Sequence, residues 1–269
     1  FPALVLYDPE RLRRLAADDP VAFVKLAIKA EQDGRLSYKD LKLQLTRLLG
    51  EKGWAAWWRQ SRDVLRHDPV LAMSGGSQPT LRLLRQADRY EDRLRRRFDR
   101  TADAADRLQQ ALAYLADVDR LGAEHPLDAD LAVHLGNGAA KIAVAVLAEQ
   151  PPLALAALAV HAAVAARGVP VARPNPRAAQ QVLARIPDAG ALVDLPDALL
   201  QPTLAYVREA LPEAWPGVWT AAMLRGGKRL ADFCARVLLE AGRTDALREA
   251  LARAVARPTA SPELIAWLW

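Results

Sequence analysis

Proline and glycine recur along the chain at intervals that constrain its fold more than any other feature of the sequence. The segments between them consist mainly of Ala, Leu, Arg, Glu and Gln, which are strong helix formers. No stretch shows a sustained alternation rich in Val, Ile and Thr, which argues against a large β-sheet. Helices joined by short loops pack antiparallel to their neighbours. The sequence therefore predicts an all-α fold, a right-handed stack of antiparallel helix pairs like that of helical-repeat proteins (α-solenoids).

One segment departs from this helical pattern. The run Met73-Ser74-Gly75-Gly76-Ser77-Gln78-Pro79 combines helix breakers and turn residues. The short apolar stretches on either side of it, 70–72 and 81–84, have the length of strands. We therefore expect one small β-hairpin near residues 70–84.

Charge and composition divide the chain in two. Residues 1–110 hold 22 Lys and Arg against 16 Asp and Glu, whereas the whole chain has a net charge of only +5. The loop 122–126 separates the basic part from a region rich in Ala and Leu. We expect a basic helical subdomain over 1–121, with a Trp-rich helix and a long Arg-rich helix, and an Ala/Leu-rich helical-repeat subdomain over 122–269.

Arginines recur at helical spacing in the predicted long helix, about 85–119. Steps of three and four would place them on one helical face. A guanidinium is well suited to hold phosphates or carboxylates through paired hydrogen bonds, so this face predicts binding of a nucleic-acid backbone or an acidic protein surface. Interleaved acids such as Asp92 and Asp103 favour the alternative of an ordinary solvated face. The candidate binding residues in this stripe are Arg82, Arg85, Arg89, Arg93, Arg96 and Arg100.

A second candidate surface combines tryptophans with arginines. Trp54, Trp57 and Trp58 share one side of a predicted helix. Aromatic rings beside cations could stack bases, as in single-strand binders. Core packing is the favoured alternative, because tryptophan buries a large area at helix junctions, and the same applies to Trp215, Trp219, Trp267 and Trp269. The basic residues of this helix are Arg59, Arg62 and Arg66.

Nothing in the sequence assembles a catalytic or metal site. The four histidines and the one cysteine have no metal-ligand spacing, which argues against a zinc site. The glycine pairs at 75–76, 136–138 and 226–227 lack the phosphate-loop pattern and predict turns or helix breaks. We therefore nominate no catalytic residue, no cofactor and no metal ligand. An enzyme with an unrecognised helical fold stays open as a third function class.

The single cysteine, Cys234, forbids an internal disulfide and favours a reducing environment, so we expect a cytoplasmic protein. The most apolar stretch, 142–166, is divided by Pro151-Pro152 into pieces too short to cross a bilayer, and no membrane partner is expected. The chain begins at Phe1 and stops at Trp269 on an apolar run. We therefore expect it to be part of a longer chain.

Several motifs resemble a known family. The run from Asp40-Leu41-Lys42 to Gly50 is followed by Gly53-Trp54-Ala55-Ala56-Trp57-Trp58-Arg59 and then by Leu65-Arg66-His67-Asp68-Pro69. This order resembles the helical accessory (N-terminal) region of long bacterial Gre-type transcription elongation and transcript cleavage factors. Further similar motifs are Ile186-Pro187-Asp188-Ala189-Gly190, Trp219 with Leu224-Arg225-Gly226-Gly227, and Arg257-Pro258 with the segment Pro262 to Trp269.

The resemblance implies a docking role. In that family an acidic coiled-coil tip promotes RNA cleavage with Mg²⁺, but this sequence has no such tip, so no catalytic residue is carried over. The first hypothesis is a non-catalytic helical interaction module that docks on RNA polymerase or an associated factor. The alternatives are direct binding of a DNA or RNA backbone through the arginines, and the unrecognised enzyme.

Overall fold

The computed structural model describes residues 8–122 and 125–256. It is mostly helical with a small antiparallel sheet, which confirms the predicted all-α class. The chain divides into two compact units, Phe1–Leu94 and Arg95–Trp269. This division lies within one helix, whereas the division predicted at residue 121 rests on charge and composition and stays a prediction. The right-handed stacking of the helix pairs also stays a prediction.

The first unit combines helices with all the strands that the structure describes. Its helices are α1 (Pro9–Asp18), α2 (Pro20–Ala30), α3 (Tyr38–His67) and the start of α4 (Tyr90–Arg100). Its strands are β1 (Arg35–Ser37), β2 (Leu71–Met73) and β3 (Thr80–Leu83).

Side-chain caps fix where these helices begin. The carboxylate of Asp8 accepts a hydrogen bond from the Arg11 amide, and Asp19 accepts one from the Ala22 amide at 2.8 Å. In each case a proline follows at the first helical position, where its missing N–H costs nothing. Ser37 caps α3 by accepting a hydrogen bond from the Asp40 amide at 3.1 Å. Each of these caps satisfies an amide that would otherwise lack a partner in the first turn.

The three strands form an antiparallel sheet in the order β1-β3-β2. Leu71 pairs with Leu83 and Met73 with Leu81, which confirms the predicted hairpin. The other edge is β1, where Leu36 lies opposite Leu81. This strand was not predicted. The apolar face of the sheet is buried against the helices, with Leu36, Leu71 and Leu81 fully inaccessible to solvent.

The core of the first unit lies between α2, α3 and the sheet. Phe23 and Ile28 of α2, Leu45 of α3 and Leu81 of β3 are fully buried, and Trp57 is only 6% exposed. Burial of these side chains supplies most of the favourable free energy of folding in such a unit. The second half of α3 therefore packs one face against the core and exposes the opposite face to solvent.

The second unit contains the rest of α4 and the remaining helices. They are α5 (Ala104–Leu121), α6 (Ala129–Val146), α7 (Pro151–Ala165), α8 (Pro176–Leu183), α9 (Asp197–Ala210), α10 (Trp215–Arg225), α11 (Lys228–Glu240) and α12 (Thr244–Ala256). A short 3₁₀ helix, Ala189–Asp194, precedes α9. Trp215 and Trp219 are buried, so the core-packing interpretation is confirmed for both, whereas Trp267 and Trp269 lie outside the described residues.

The most extensive helix packing in the second unit is between α6 and α7. Gly136 and Gly138 lie within α6, so the prediction of a turn at 136–138 was wrong. A Cβ on Gly138 would meet the Phe98 ring at 2.5 Å, and one on Gly136 would meet Val164 at 2.9 Å. These glycines serve close helix packing, a role that short-range sequence signals do not distinguish from a helix break.

The predicted single helix over 85–119 was also wrong. Residues 101–103 separate α4 from α5. Asp103 caps α5 by accepting a hydrogen bond from the Asp106 amide at 2.7 Å, and the Thr101 hydroxyl donates to the Arg97 carbonyl. Both side chains compete with helical hydrogen bonding and so favour a helix boundary at this point.

Across the described ranges, 8–122 and 125–256, no helix combines the length and the apolar character needed to cross a bilayer.

Candidate nucleic-acid interface

The longest helix of the first unit, α3, is broken once along its length. Gly50 interrupts α3 with φ 74° and ψ 168°, so the element consists of two helical segments, 38–49 and 51–67. Glycine adopts this positive φ without the steric cost that a Cβ would add. In a helix-turn-helix two helices are joined by a short turn that often contains glycine, and a break at Gly50 fits that description. The hairpin β2–β3 follows the second helical segment directly.

Aromatic packing fixes the rotation of the second segment. Trp54 and Trp57 are 4% and 6% exposed and their rings stack at 5.9 Å. The indole Nε1 of Trp57 donates a hydrogen bond of 2.6 Å to the Ala16 carbonyl of α1. Trp58 is half-buried and stacks on Trp54 at 5.4 Å. The core-packing interpretation is confirmed for Trp54 and Trp57, so neither ring is available to stack on a base.

The opposite side of this segment is basic and exposed. Lys52, Arg59 and Arg62 lie within one helical face, with Ala55 and Ala56 between them. Among the described residues, these three cations have no ion pair and no side-chain hydrogen bond. The two alanines keep the centre of the face flat. We call Lys52, Ala55, Ala56, Arg59 and Arg62 the second-helix face.

Arg93 is placed differently from the other predicted binding residues. Its guanidinium is half-buried and donates hydrogen bonds to the carbonyls of Leu71 at 2.6 Å, Arg66 at 2.8 Å and Asp68 at 3.3 Å. These contacts tie α4 to the end of α3 and the start of β2. A guanidinium already committed to backbone carbonyls has few donors left for a phosphate. Arg66 is half-buried beside this contact.

The remaining arginines of the stripe do not share one helical face. Arg82 is exposed on β3, directly opposite Arg35 of β1, and Arg85 is exposed in the loop after β3. Arg89 precedes α4, and its Nε lies 3.6 Å from Glu91. The prediction of a single face was wrong because the first part of the stripe is strand and loop. Arg96 and Arg100 are exposed on the part of α4 that belongs to the second unit.

Arg35 and Arg82 form a like-charged cross-strand pair, an arrangement that destabilises a sheet. Acidic side chains lie beside it, however, because Glu31, Asp33 and Asp40 line a hollow together with Arg35. The local charge there is therefore mixed, whereas the second-helix face carries three cations, with Glu51 and the half-buried Asp63 as the acids nearest to it in sequence. The second-helix face is the stronger candidate for binding a polyanion.

Two basic residues of this region were not nominated from the sequence. Lys52 is seven positions before Arg59, so both lie on the same face, and this spacing could have identified it. Arg35 had no comparable signal, since its position beside Arg82 depends on a strand pairing between distant residues.

Metal binding has no support in the described residues. No group of three or more His, Cys, Asp or Glu side chains within 8–122 and 125–256 is arranged to hold an ion.

Comparison with known proteins identifies a motif in the same region. The family model of the GRAD helix-turn-helix domain matches residues 3–87. The GRAD domain is related to the Gre factors, which is consistent with the resemblance in the sequence. No curated protein and no solved structure matches the chain. The match includes α1, α2, both segments of α3 and the hairpin.

Proposed function

We propose that the first unit binds the backbone of duplex nucleic acid through the second-helix face, as a non-catalytic module of a transcription-related protein. The observation that carries this proposal is the exposure of Lys52, Arg59 and Arg62 on the second segment of α3, within the residues that match a helix-turn-helix family model. In motifs of this type the second helix enters the major groove, and its first turns reach the base edges.

The chemistry of the face supports this mode of binding. Two guanidinium groups and one ammonium group can each neutralise a phosphate, and arginine does so through paired hydrogen bonds. Ala55 and Ala56 leave room for the helix to approach the duplex closely. Three phosphate contacts correspond to a log–log salt slope of about −2.7, from about −0.9 per contact on B-form DNA.

The proposal is tested by binding of a labelled DNA duplex, followed by fluorescence anisotropy over about 50 to 200 mM KCl. The variant Arg59→Glu/Arg62→Glu should lower the affinity at least about tenfold and reduce the slope to about −1, because two of the three contacts are lost.

The variant Arg11→Glu/Arg14→Glu is the matched control. Both residues are exposed on α1 with the same spacing of three, and the change in net charge is the same. We expect this control to retain the wild-type slope. If both double variants lose affinity equally, binding depends on net charge alone and the second-helix face is not the site.

A second function is favoured by the family model. Because the GRAD domain is related to Gre factors, docking on RNA polymerase or an associated factor is the protein-binding candidate. It predicts that the chain is retained on immobilised core RNA polymerase after nuclease treatment. Loss of retention on nuclease treatment would show that nucleic acid bridges the two and would contradict direct docking.

A further inference from the structure

The first segment of α3, residues 38–49, exposes a face of different chemistry. Leu43 is 52% exposed, although most leucines of this unit are buried. Lys39, Lys42 and Arg47 are exposed around it. Lys39, Leu43 and Arg47 follow steps of four along one side of the helix, and Lys42, three residues after Lys39, lies at the edge of that side. We call Lys39, Lys42, Leu43 and Arg47 the first-helix face.

The cations of this face have no acidic partner among the described residues. Neither Lys39, Lys42 nor Arg47 takes part in an ion pair or a side-chain hydrogen bond there. Asp40 is the exposed acid nearest in sequence, but it is engaged by the helix cap, where its carboxylate accepts a hydrogen bond of 2.5 Å from the Ser37 hydroxyl. The face therefore presents three positive charges around one apolar side chain, with the Asp40 carboxylate beside its first turn.

From this combination we infer that the first-helix face docks an acidic amphipathic helix of a protein partner. The inference rests on the second proposed function, docking on a protein, and names the surface and the chemistry of the partner. Charge complementarity selects an acidic segment, since carboxylates can pair with the three cations and steer the encounter. Leu43 would enter an apolar strip of the partner, in the manner of a helix that lies against a groove or another helix.

The exposed leucine favours a protein over a nucleic acid. A phosphate backbone offers carboxylate-like anions but few apolar surfaces for a side chain the size of leucine. The second-helix face has the opposite character, because its centre is occupied by Ala55 and Ala56. The first segment of α3 thus exposes a large apolar side chain among its cations, which favours a protein partner, whereas the second segment does not.

The test uses the deuterated full chain and a synthetic helical peptide with Glu and Leu at amphipathic spacing. Amide chemical shifts report which residues respond as peptide is added. We expect the largest shifts at the first-helix face and saturation with a Kd of about 10–100 µM, in the range of weak peptide recognition.

Leu43→Ala should weaken binding at least about fivefold, as expected for an anchor residue. The matched control is Leu239→Ala, since Leu239 is exposed to a similar extent, 53%, on α11. Both substitutions introduce a better helix former at an exposed position, so both variants should fold. Leu43→Ala should leave the affinity for the DNA duplex unchanged, which separates this inference from the nucleic-acid proposal.

Three results would overturn the inference. The first is no saturable shift with peptide up to about 1 mM. The second is equal weakening by Leu43→Ala and Leu239→Ala. The third is a DNA duplex that shifts the same amides more strongly than the peptide does, with no effect of Leu43→Ala on either ligand, which would assign the face to the nucleic-acid backbone.

Discussion

Replacing Arg93 by alanine separates a structural arginine from the binding arginines. Its guanidinium donates hydrogen bonds of 2.6 and 2.8 Å to the carbonyls of Leu71 and Arg66, and a longer one of 3.3 Å to that of Asp68. A hydrogen bond from a charged donor contributes about 1.5–3 kcal/mol. The group is half-buried, so the carbonyls regain some contact with water and the lower limit applies to each short bond. We expect Arg93→Ala to reduce the free energy of unfolding by about 3 kcal/mol.

Urea unfolding measures this change when it is followed by tryptophan fluorescence and by circular dichroism, because agreement of the two probes tests for a single transition. Arg93→Lys keeps the charge but cannot bridge several carbonyls, so it should reduce the free energy of unfolding by about half as much as Arg93→Ala does. Arg59→Ala is the control and should change the stability by less than about 0.5 kcal/mol, because Arg59 is exposed. The reasoning fails if Arg93→Ala unfolds like the wild type and loses affinity for the duplex as Arg59→Glu/Arg62→Glu is expected to do.

Two further changes test the core and the response to pH. Trp57→Ala should cost about 3–5 kcal/mol in urea unfolding, because it empties a buried site and removes the hydrogen bond to Ala16, whereas loss of binding without loss of stability would mean an exposed indole. Burial raises the pKa of the Cys234 thiol from 9.0 to about 12. The folded state holds this proton more tightly than the unfolded state does. The contribution of Cys234 to the free energy of unfolding is therefore fully present below pH 9 and is lost as the pH rises from 9 to about 12. Cys234→Ala should flatten the start of that decline in circular dichroism; an unchanged pH profile would contradict it.

In the first unit, elements that depend on residues close in sequence could be predicted, whereas elements that depend on contacts between distant residues could not. The pairs Asp8-Pro9 and Asp19-Pro20 predict helix starts because cap and proline lie within one turn of each other. The hairpin was also predictable, since its turn residues and both strands are close in sequence. Strand β1 was missed because three residues of Arg35–Ser37 become a strand only by pairing with the distant β3.

The candidate site also depends on contacts between residues that are distant in sequence. Spacing alone grouped Arg93 with Arg89 and Arg96, but spacing cannot show that the Arg93 guanidinium meets the carbonyls at the end of α3. The pattern of charged residues predicts a binding face poorly, because a long polar side chain can contact any surface that it reaches. In the second segment of α3, the pattern of buried residues predicts the exposed face better.

The tryptophans decide which basic side chains of α3 can meet a ligand. Burial of Trp54 and Trp57 fixes the rotation of the second segment, and the residues on the far side of the helix must then face solvent. Lys52, Arg59 and Arg62 are exposed for that reason. Arg66 is the next basic residue along the segment, yet it is half-buried where Arg93 binds its carbonyl. A binding face on such a helix is therefore best derived from its aromatic core positions first and from its charges second.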